Sequence, residues 1–176
     1  MQGLTAIVTG GNTGVGLATA REFAARGANV IIGCRDLVKG QKAAASILLA
    51  TKAEVVVYHL DLTDFKSIKS FSEHIDKCHV LVNNAGVMLP EKILKYGVEL
   101  TSLTNHLGPF YLTQLLLPKM RKTAEDEKTE VRIVNVASRL EKNAYSNKNE
   151  GKDDQIALLL SKEVTRLSFH LIISSC

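Results

Sequence analysis

The chain has 176 residues, 45% of them apolar and 23% charged, with a formal net charge of +4. That length suits one domain with a real core, and the composition is that of an ordinary soluble globular protein. The charge is mild and dispersed with no aromatic-interleaved basic stripe, which argues against nucleic acid as a partner, and no apolar run nears the ~20 residues of a membrane span. The three cysteines, Cys34, Cys78 and Cys176, are odd in number and lack metal-ligand spacing. Free thiols in a reducing, cytoplasmic setting are therefore expected, without a metal site. No basic region and apolar leader precede the first strand pattern, Leu4-Thr5-Ala6-Ile7-Val8.

Taken in chain order, short β-branched runs alternate with helical patterns, which predicts βαβ units around a parallel sheet. The first strand, Ala6-Ile7-Val8, enters Thr9-Gly10-Gly11-Asn12-Thr13-Gly14-Val15-Gly16 and then a helix. The second, Asn29 to Ile32, ends on Gly33-Cys34-Arg35-Asp36. The third, Glu54 to Tyr58, is followed by Asp61-Leu62 and by a helix with Phe65, Ile68, Phe71 and Ile75 on one face and Asp64 as its cap. The fourth, His79 to Val82, runs into Asn83-Asn84-Ala85-Gly86. A fourth helix shows Leu100, Leu103, Leu107 and Tyr111 at helical spacing, with Pro118 expected near its end. Lys119 to Glu130 reads as a charged loop, and Val131 to Val136 as a fifth strand leading to Ala137-Ser138. A second charged loop, Glu141 to Asp154, precedes a last helical pattern of Ile156, Leu160, Val164, Leu167 and Leu171. The expectation is a single domain over 1–176 whose tail is irregular from about residue 140, with an α/β doubly wound parallel sheet in three α/β/α layers.

The glycine turn carries chemistry. A pyrophosphate needs backbone N–H groups close by and the positive end of a helix dipole aimed at it. Glycines remove the Cβ atoms that would block that approach, and a third lets helix and strand pack closely. The spacing Gly10-x-x-x-Gly14-x-Gly16 after Thr9, followed in order by Asp61-Leu62, Asn83-Asn84-Ala85-Gly86, Asn105-His106-Leu107-Gly108 and Val134-Asn135-Val136-Ala137-Ser138, resembles the short-chain dehydrogenase/reductase family. Gly33-Cys34-Arg35-Asp36 and Asn105-His106-Leu107-Gly108 are similar to its retinol-dehydrogenase-like branch. The resemblance implies a Rossmann domain whose coenzyme lies against Gly10, Asn12, Thr13, Gly14, Val15, Gly16, Asp61, Leu62, Asn83, Ala85 and Gly86. It implies hydride transfer between NAD(P)(H) and a small carbonyl/alcohol substrate, with pairing of subunits through the fourth and fifth long helices and thus a homo-oligomer left open. Read alone, Asp61 also suits a cap for the loop entering the next helix, and Asn83 and Asn84 suit ordinary turn formers.

Which dinucleotide is bound turns on the end of the second strand. A 2′-hydroxyl wants a carboxylate there and a 2′-phosphate wants a cation. Arg35 favours NADP over NAD, while Asp36 next to it leaves the 2′-hydroxyl open as the partner.

By resemblance, Asn105 is the family's catalytic asparagine and Ser138 its serine. The tyrosine acid/base is the departure. Tyr145 follows Ser138 too closely and has Asn149, not lysine, four residues on. Ala157-Leu158-Leu159-Leu160-Ser161-Lys162 aligns better with the branch's Ala-Tyr-x-x-Ser-Lys, giving Lys162 the lysine position and Leu158 the tyrosine's. The family's later strand and substrate-covering segment are also expected to be missing. The sequence thus supports a carbonyl/alcohol oxidoreductase by family, and alternatively a catalytically silent dinucleotide-binding isoform or partner-binding protein.

Overall fold

A computed structural model of the chain describes residues 1–137 in full, together with the backbone of Ser138 and of residues 167–174. Six strands form one parallel sheet: β1 (Thr5–Thr9), β2 (Asn29–Cys34), β3 (Val55–His59), β4 (Val80–Asn83), β7 (Val131–Ser138) and β8 (Leu167–Ser174). A two-stranded hairpin, β5 (Leu94–Lys95) and β6 (Val98–Glu99), stands apart from it. The strand order β3-β2-β1-β4-β7-β8 reverses direction between β1 and β4, so the sheet is doubly wound and of Rossmann type. The five strand runs expected from the sequence are all present within a residue or two.

Helices α1 (Gly14–Ala25) and α2 (Leu37–Thr51) pack beside each other, while α3 (Phe65–Glu73) packs with α5 (Gly108–Asp126). The two pairs meet two separate apolar clusters. Ile7, Leu60, Ile68, Phe71, Ile75, Leu81, Leu112, Leu116, Met120 and Ile133 form one, and Ala6, Val8, Ala20, Ala24, Val30, Ile32, Ile47 and Val82 the other. Ile7 and Leu81 fall in the first cluster while Ala6, Val8, Val80 and Val82 fall in the second, as alternation along a strand requires. Apolar residues on both faces explain why the strands read as nearly unbroken Val/Ile/Leu runs. Asp64 does cap α3, its carboxylate accepting from Lys66 N at 2.9 Å.

Two expectations need correction. Lys119 to Asp126 is not a loop but the last two turns of α5, and Pro118 lies inside that helix. Met120, Thr123 and Ala124 recur at helical spacing and are buried. The Lys119 ammonium donates to Ser72 O (2.7 Å) and Ile75 O (2.6 Å), serving carbonyls at the C-terminal end of α3. A charge-rich segment is helical here because its buried residues fill the core and the ammonium of Lys119 has backbone partners. Second, Leu167–Ser174 is a strand rather than the end of a helix, parallel to β7 with Val131 opposite Leu167 and Ser138 opposite Ser174. Phe169, Ile172 and Ile173 break the helical period of Leu167 and Leu171, and the outer edge of β7 offers backbone groups that only a strand can pair. A strand therefore follows β7, where none was expected. The expected loop Glu141 to Asp154, the positions Ile156, Leu160 and Val164, and Tyr145, Asn149, Leu158, Lys162 and Cys176 lie outside the described residues.

Between the hairpin and α5 the chain runs through a short helical turn, α4 (Leu100–Ser102), and a π-helical turn, Leu103–Leu107. Glu99 caps this start. Its carboxylate accepts from Thr101 N (3.2 Å) and from Ser102 N and Oγ (2.9 and 2.8 Å), which holds its pKa down at about 2. Gly108 then begins α5 where a Cβ would run into the carbonyl oxygen of Leu62. Gly108→Ala is expected to destabilise the fold by about 1–3 kcal/mol despite alanine's better helix propensity. The measurement is a lower urea midpoint at unchanged m, and a neutral or stabilised variant would show that the Leu62 loop yields freely.

Candidate functional site

The glycine turn is built by its neighbours as much as by its glycines. Gly10 N donates to Gly33 O at 2.8 Å, which ties the turn to the end of β2. Gly10 sits at φ +66° and Gly14 at φ +54°, conformations that L side chains resist. A Cβ on Gly10 would come within 3.0 Å of Ala85 Cα, and one on Gly16 would meet the Asn84 amide and Gly10 O. A Cβ on Gly14 would meet nothing within 4 Å, so that position opens outward. Thr13, Gly14 and Val15 are exposed, Asn12 is half-buried, and Thr13 makes no capping hydrogen bond to α1. The first N–H groups of α1 therefore face an open space over the strand ends, which suits an anion.

Across the reversal in strand order, Thr9 and Asn84 close the gap between β1 and β4. The Thr9 hydroxyl, fully buried, accepts from Asn84 N and Ala85 N, each at 3.0 Å, and donates to Val82 O at 3.4 Å. Asn84 Nδ2 donates to Thr9 O at 2.9 Å. Sequence reasoning named the glycines but not these two side chains as part of the site, although Thr9 and the Asn83-Asn84 pair stood in its motifs. Asn83 turns the other way. Its Nδ2 donates to Asn135 Oδ1 (2.9 Å) and Thr113 Oγ1 (3.2 Å), while the Thr113 hydroxyl donates to Pro109 O (2.7 Å). Because that hydroxyl proton is committed, Thr113 can only accept from Asn83, which fixes the amide's orientation. Asn83 Oδ1 is then buried without a hydrogen-bond partner among the described residues. Asn83 is a brace between β4, β7 and α5, whereas Ala85 and Gly86 sit at the rim.

At the ends of β2 and β3 the charges separate cleanly. Arg35 is exposed, and Asp36 is spent as the N-cap of α2, accepting from Lys39 N at 3.0 Å. That hydrogen bond holds the Asp36 carboxyl below its ordinary pKa. Burial works against the Asp61 carboxylate, yet the Thr63 N–H (2.9 Å) and hydroxyl (2.7 Å), with Lys95 and Arg35 nearby, more than offset it and lower its pKa. Leu62 is buried beneath this rim.

The π-helical turn presents Asn105 to the segment after β4. Asn105 Oδ1 accepts from Val87 N and its Nδ2 donates to Val87 O, both at 2.8 Å, so the amide is paired to both backbone groups of one residue. π-helical turns inside helices are frequent at functional sites. Ser138 is the last residue of β7, three positions beyond Asn135, which pairs with Asn83 at the end of β4. The predicted residues thus lie around the C-terminal ends of the strands, except Lys162, which lies outside the described residues. A shallow depression lined by Gln114, Leu117, Pro118 and Arg121 lies along α5 and contains none of them. Among the described residues no group of three or more His, Cys, Asp or Glu side chains could hold a metal ion, and no helix is long and apolar enough to cross a membrane.

The chain is similar to known proteins in sequence and in fold. Residues 4–149 match the family model described as short chain dehydrogenase. "Retinol dehydrogenase 12" of Mus musculus is 46% identical over 142 residues, which cover 77% of this chain and 43% of that protein. The chain therefore spans less than half the length of this curated relative. A crystal structure of an uncharacterized protein from Mycobacterium paratuberculosis is 41% identical with a TM-score of 0.68, over 78% of this chain and 47% of that one. The RhlG/NADP active-site complex of Pseudomonas aeruginosa is 25% identical with a TM-score of 0.77, over 98% of this chain and 72% of that one. The chain belongs to the short-chain dehydrogenase/reductase family.

Proposed function

We propose that this chain binds NADP(H) across the C-terminal ends of β1 to β4 and forms the coenzyme-holding part of an oxidoreductase acting on a small carbonyl/alcohol pair. The observation that carries the reading is the glycine turn fastened through Thr9 and Asn84 to the end of β4 at the sheet's switch point. Gly10, Asn12, Thr13, Gly14, Val15 and Gly16 would surround the pyrophosphate, with the N–H groups of α1 supplying donors. Asp61 and Leu62 would meet the adenine, and Ala85 and Gly86 would flank the remainder. Arg35, exposed beside a strand end whose one acid is already a helix cap, is the residue for a 2′-phosphate, which supports NADP over NAD.

When bound, the coenzyme would supply the hydride that reduces a carbonyl carbon. Ser138, at the end of β7, would hold the carbonyl oxygen, and Lys162 would grip the nicotinamide ribose. Asn105, whose amide is occupied by Val87, would act by fixing the Gly86-Val87 segment at the site's floor. The retinol in the name of one relative is a substrate candidate here and nothing more. Buried free thiols at Cys34 and Cys78 support a reducing, cytoplasmic setting.

A specific feature favours a second reading, a catalytically silent dinucleotide binder. Leu158 stands where the family's tyrosine belongs, and leucine has no proton to give. The two readings separate on turnover alone.

Fluorescence titration with NADPH tests the site directly. Gly14→Val should abolish binding while the chain still folds, because a β-branched residue resists positive φ and would occupy the open space at the turn. Normal binding by that variant would move the pyrophosphate elsewhere. Arg35→Ala should cost about 1.5–3 kcal/mol of NADPH affinity and leave NADH nearly unchanged, as expected for a lost charge-assisted phosphate contact. Equal losses for both coenzymes would refute the phosphate role. Finally, the 176-residue chain should bind NADPH yet reduce carbonyls at least about 10²–10⁴-fold more slowly than a relative with an intact Tyr-x-x-x-Lys, the usual worth of a general acid. Robust turnover that Tyr145→Phe abolishes would make Tyr145 the acid.

A further inference from the structure

The β5-β6 hairpin is tied to the adenine end of the site by one side chain. Lys95 Nζ donates to Thr63 Oγ1 at 2.7 Å, and the same hydroxyl donates to Asp61 Oδ1 at 2.7 Å, beside the Thr63 N–H at 2.9 Å. Thr63 is 6% exposed and lies between a half-buried Asp61 and a half-buried Lys95, so the hydroxyl that links them is shielded from competing water. A threonine hydroxyl has one proton. Lys95 has no acceptor and must donate, so the Thr63 proton can only go to Asp61. The Thr63 hydroxyl therefore bridges the ammonium to the carboxylate, and together with the Thr63 N–H it occupies Oδ1. All of Asp61's hydrogen bonds to Thr63 fall on Oδ1, and none reaches Oδ2 among the described residues. Asp61 is half-buried, leaving Oδ2 to accept from a donor at the rim.

The same lysine sits on a segment held at three points. Asn105 pairs with Val87 before the hairpin, Leu100 N donates to Ile93 O across its base at 2.8 Å, and Glu99 caps the helical start that leads to Asn105. Lys95 also lies over the Tyr96 ring, 5.4 Å from its centroid, which further limits where the ammonium can go.

We propose that Lys95 is a positioning residue of the coenzyme site, orienting the Asp61 carboxylate through Thr63 so that its free oxygen receives the exocyclic amino group of adenine. The assignment rests on the coenzyme reading above and adds to it a side chain from the hairpin, which the family motifs in this sequence do not include. Lys95 and Arg35 both bring positive charge to Asp61, one from the hairpin and one from the end of β2. Their roles differ: Arg35 faces the 2′-phosphate, Lys95 faces the protein.

The test uses the 176-residue chain and competition against NADPH by two fragments, AMP and reduced nicotinamide mononucleotide. Lys95→Met should weaken NADPH and AMP by about three- to tenfold, the usual worth of one hydrogen bond, and leave the mononucleotide unchanged. Lys95→Arg should restore most of the loss, and the thermal midpoint of Lys95→Met should stay within error of the parent. In an Asp61→Asn background Lys95→Met should cost nothing further, because its effect passes through that carboxylate. Without Lys95 the Asp61 carboxyl loses a neighbour that keeps it ionised, so NADPH binding should fall away at a higher pH as the solution is acidified. Equal weakening of both fragments, additive losses in the double variant, or no loss at all would overturn the role of Lys95. Absence of NADPH binding by the parent chain would instead overturn the coenzyme reading itself.

Discussion

A single buried hydroxyl holds the site together. Thr9 ends β1, and β4 ends beside it, at the place where the sheet reverses its strand order and two loops part to opposite faces. The end of β4 leaves the N–H groups of Asn84 and Ala85 without a ladder partner there, and leaving such a group unpaired in the interior would cost about 1–3 kcal/mol. Thr9 Oγ1 takes the N–H groups of Asn84 and Ala85, and Asn84 returns a donor to Thr9 O. Once those loops are locked, Gly10 and Gly16 can lie against Ala85 and Asn84 at distances no side chain would permit. The open side of the turn, at Gly14, then faces away from protein, and α1 points its first N–H groups into that opening.

The second support is the length of α5. A helix that stopped at Pro118 would leave Met120 and Ala124 without a place in the core and the C-terminal carbonyls of α3 without Lys119. Its continuation to Asp126 also brings Thr123 Oγ1 to Cys78 N at 3.3 Å. At the other end, Gly108 allows α5 to start in contact with the Leu62 carbonyl, and Thr113 receives Asn83. The helix therefore fixes both the loop after β3 and the end of β4, from one rigid element. The hairpin closes this frame from the outside through Lys95, Thr63 and Asp61.

Much of this was legible in the chain. The alternation of β-branched runs with amphipathic stretches determined a parallel sheet with covered faces, because strands buried on both sides must be apolar throughout. The glycines at 10, 14 and 16, with Asn83-Asn84-Ala85-Gly86 and Asp61-Leu62 in order, determined which strand ends meet at a dinucleotide-type site. The gap between Arg35 and Asp36 was visible as a question. What the sequence left open was which polar atoms pair. Asp36 became a helix cap, Asn83 turned into the sheet while Asn84 turned to Thr9, and Lys119 found carbonyls rather than solvent.

Apart from the Asp36 cap, which is local, those choices depend on groups 30 to 75 residues apart in the chain, and local pattern carries no record of such distances. The tail shows the same division. Leu167 and Leu171 have helical spacing, yet the unpaired edge of β7 made Leu167–Ser174 a strand, since a backbone row of donors and acceptors is satisfied by another strand and not by a helix. Local composition and periodicity by themselves determined five of the six strands of the sheet and its layers, and the ordered motifs marked the strand ends where the site lies. The tertiary structure decided the hydrogen-bond partners, because a buried donor takes whichever acceptor the packed core brings within about 3 Å of it, however far away that acceptor lies in sequence.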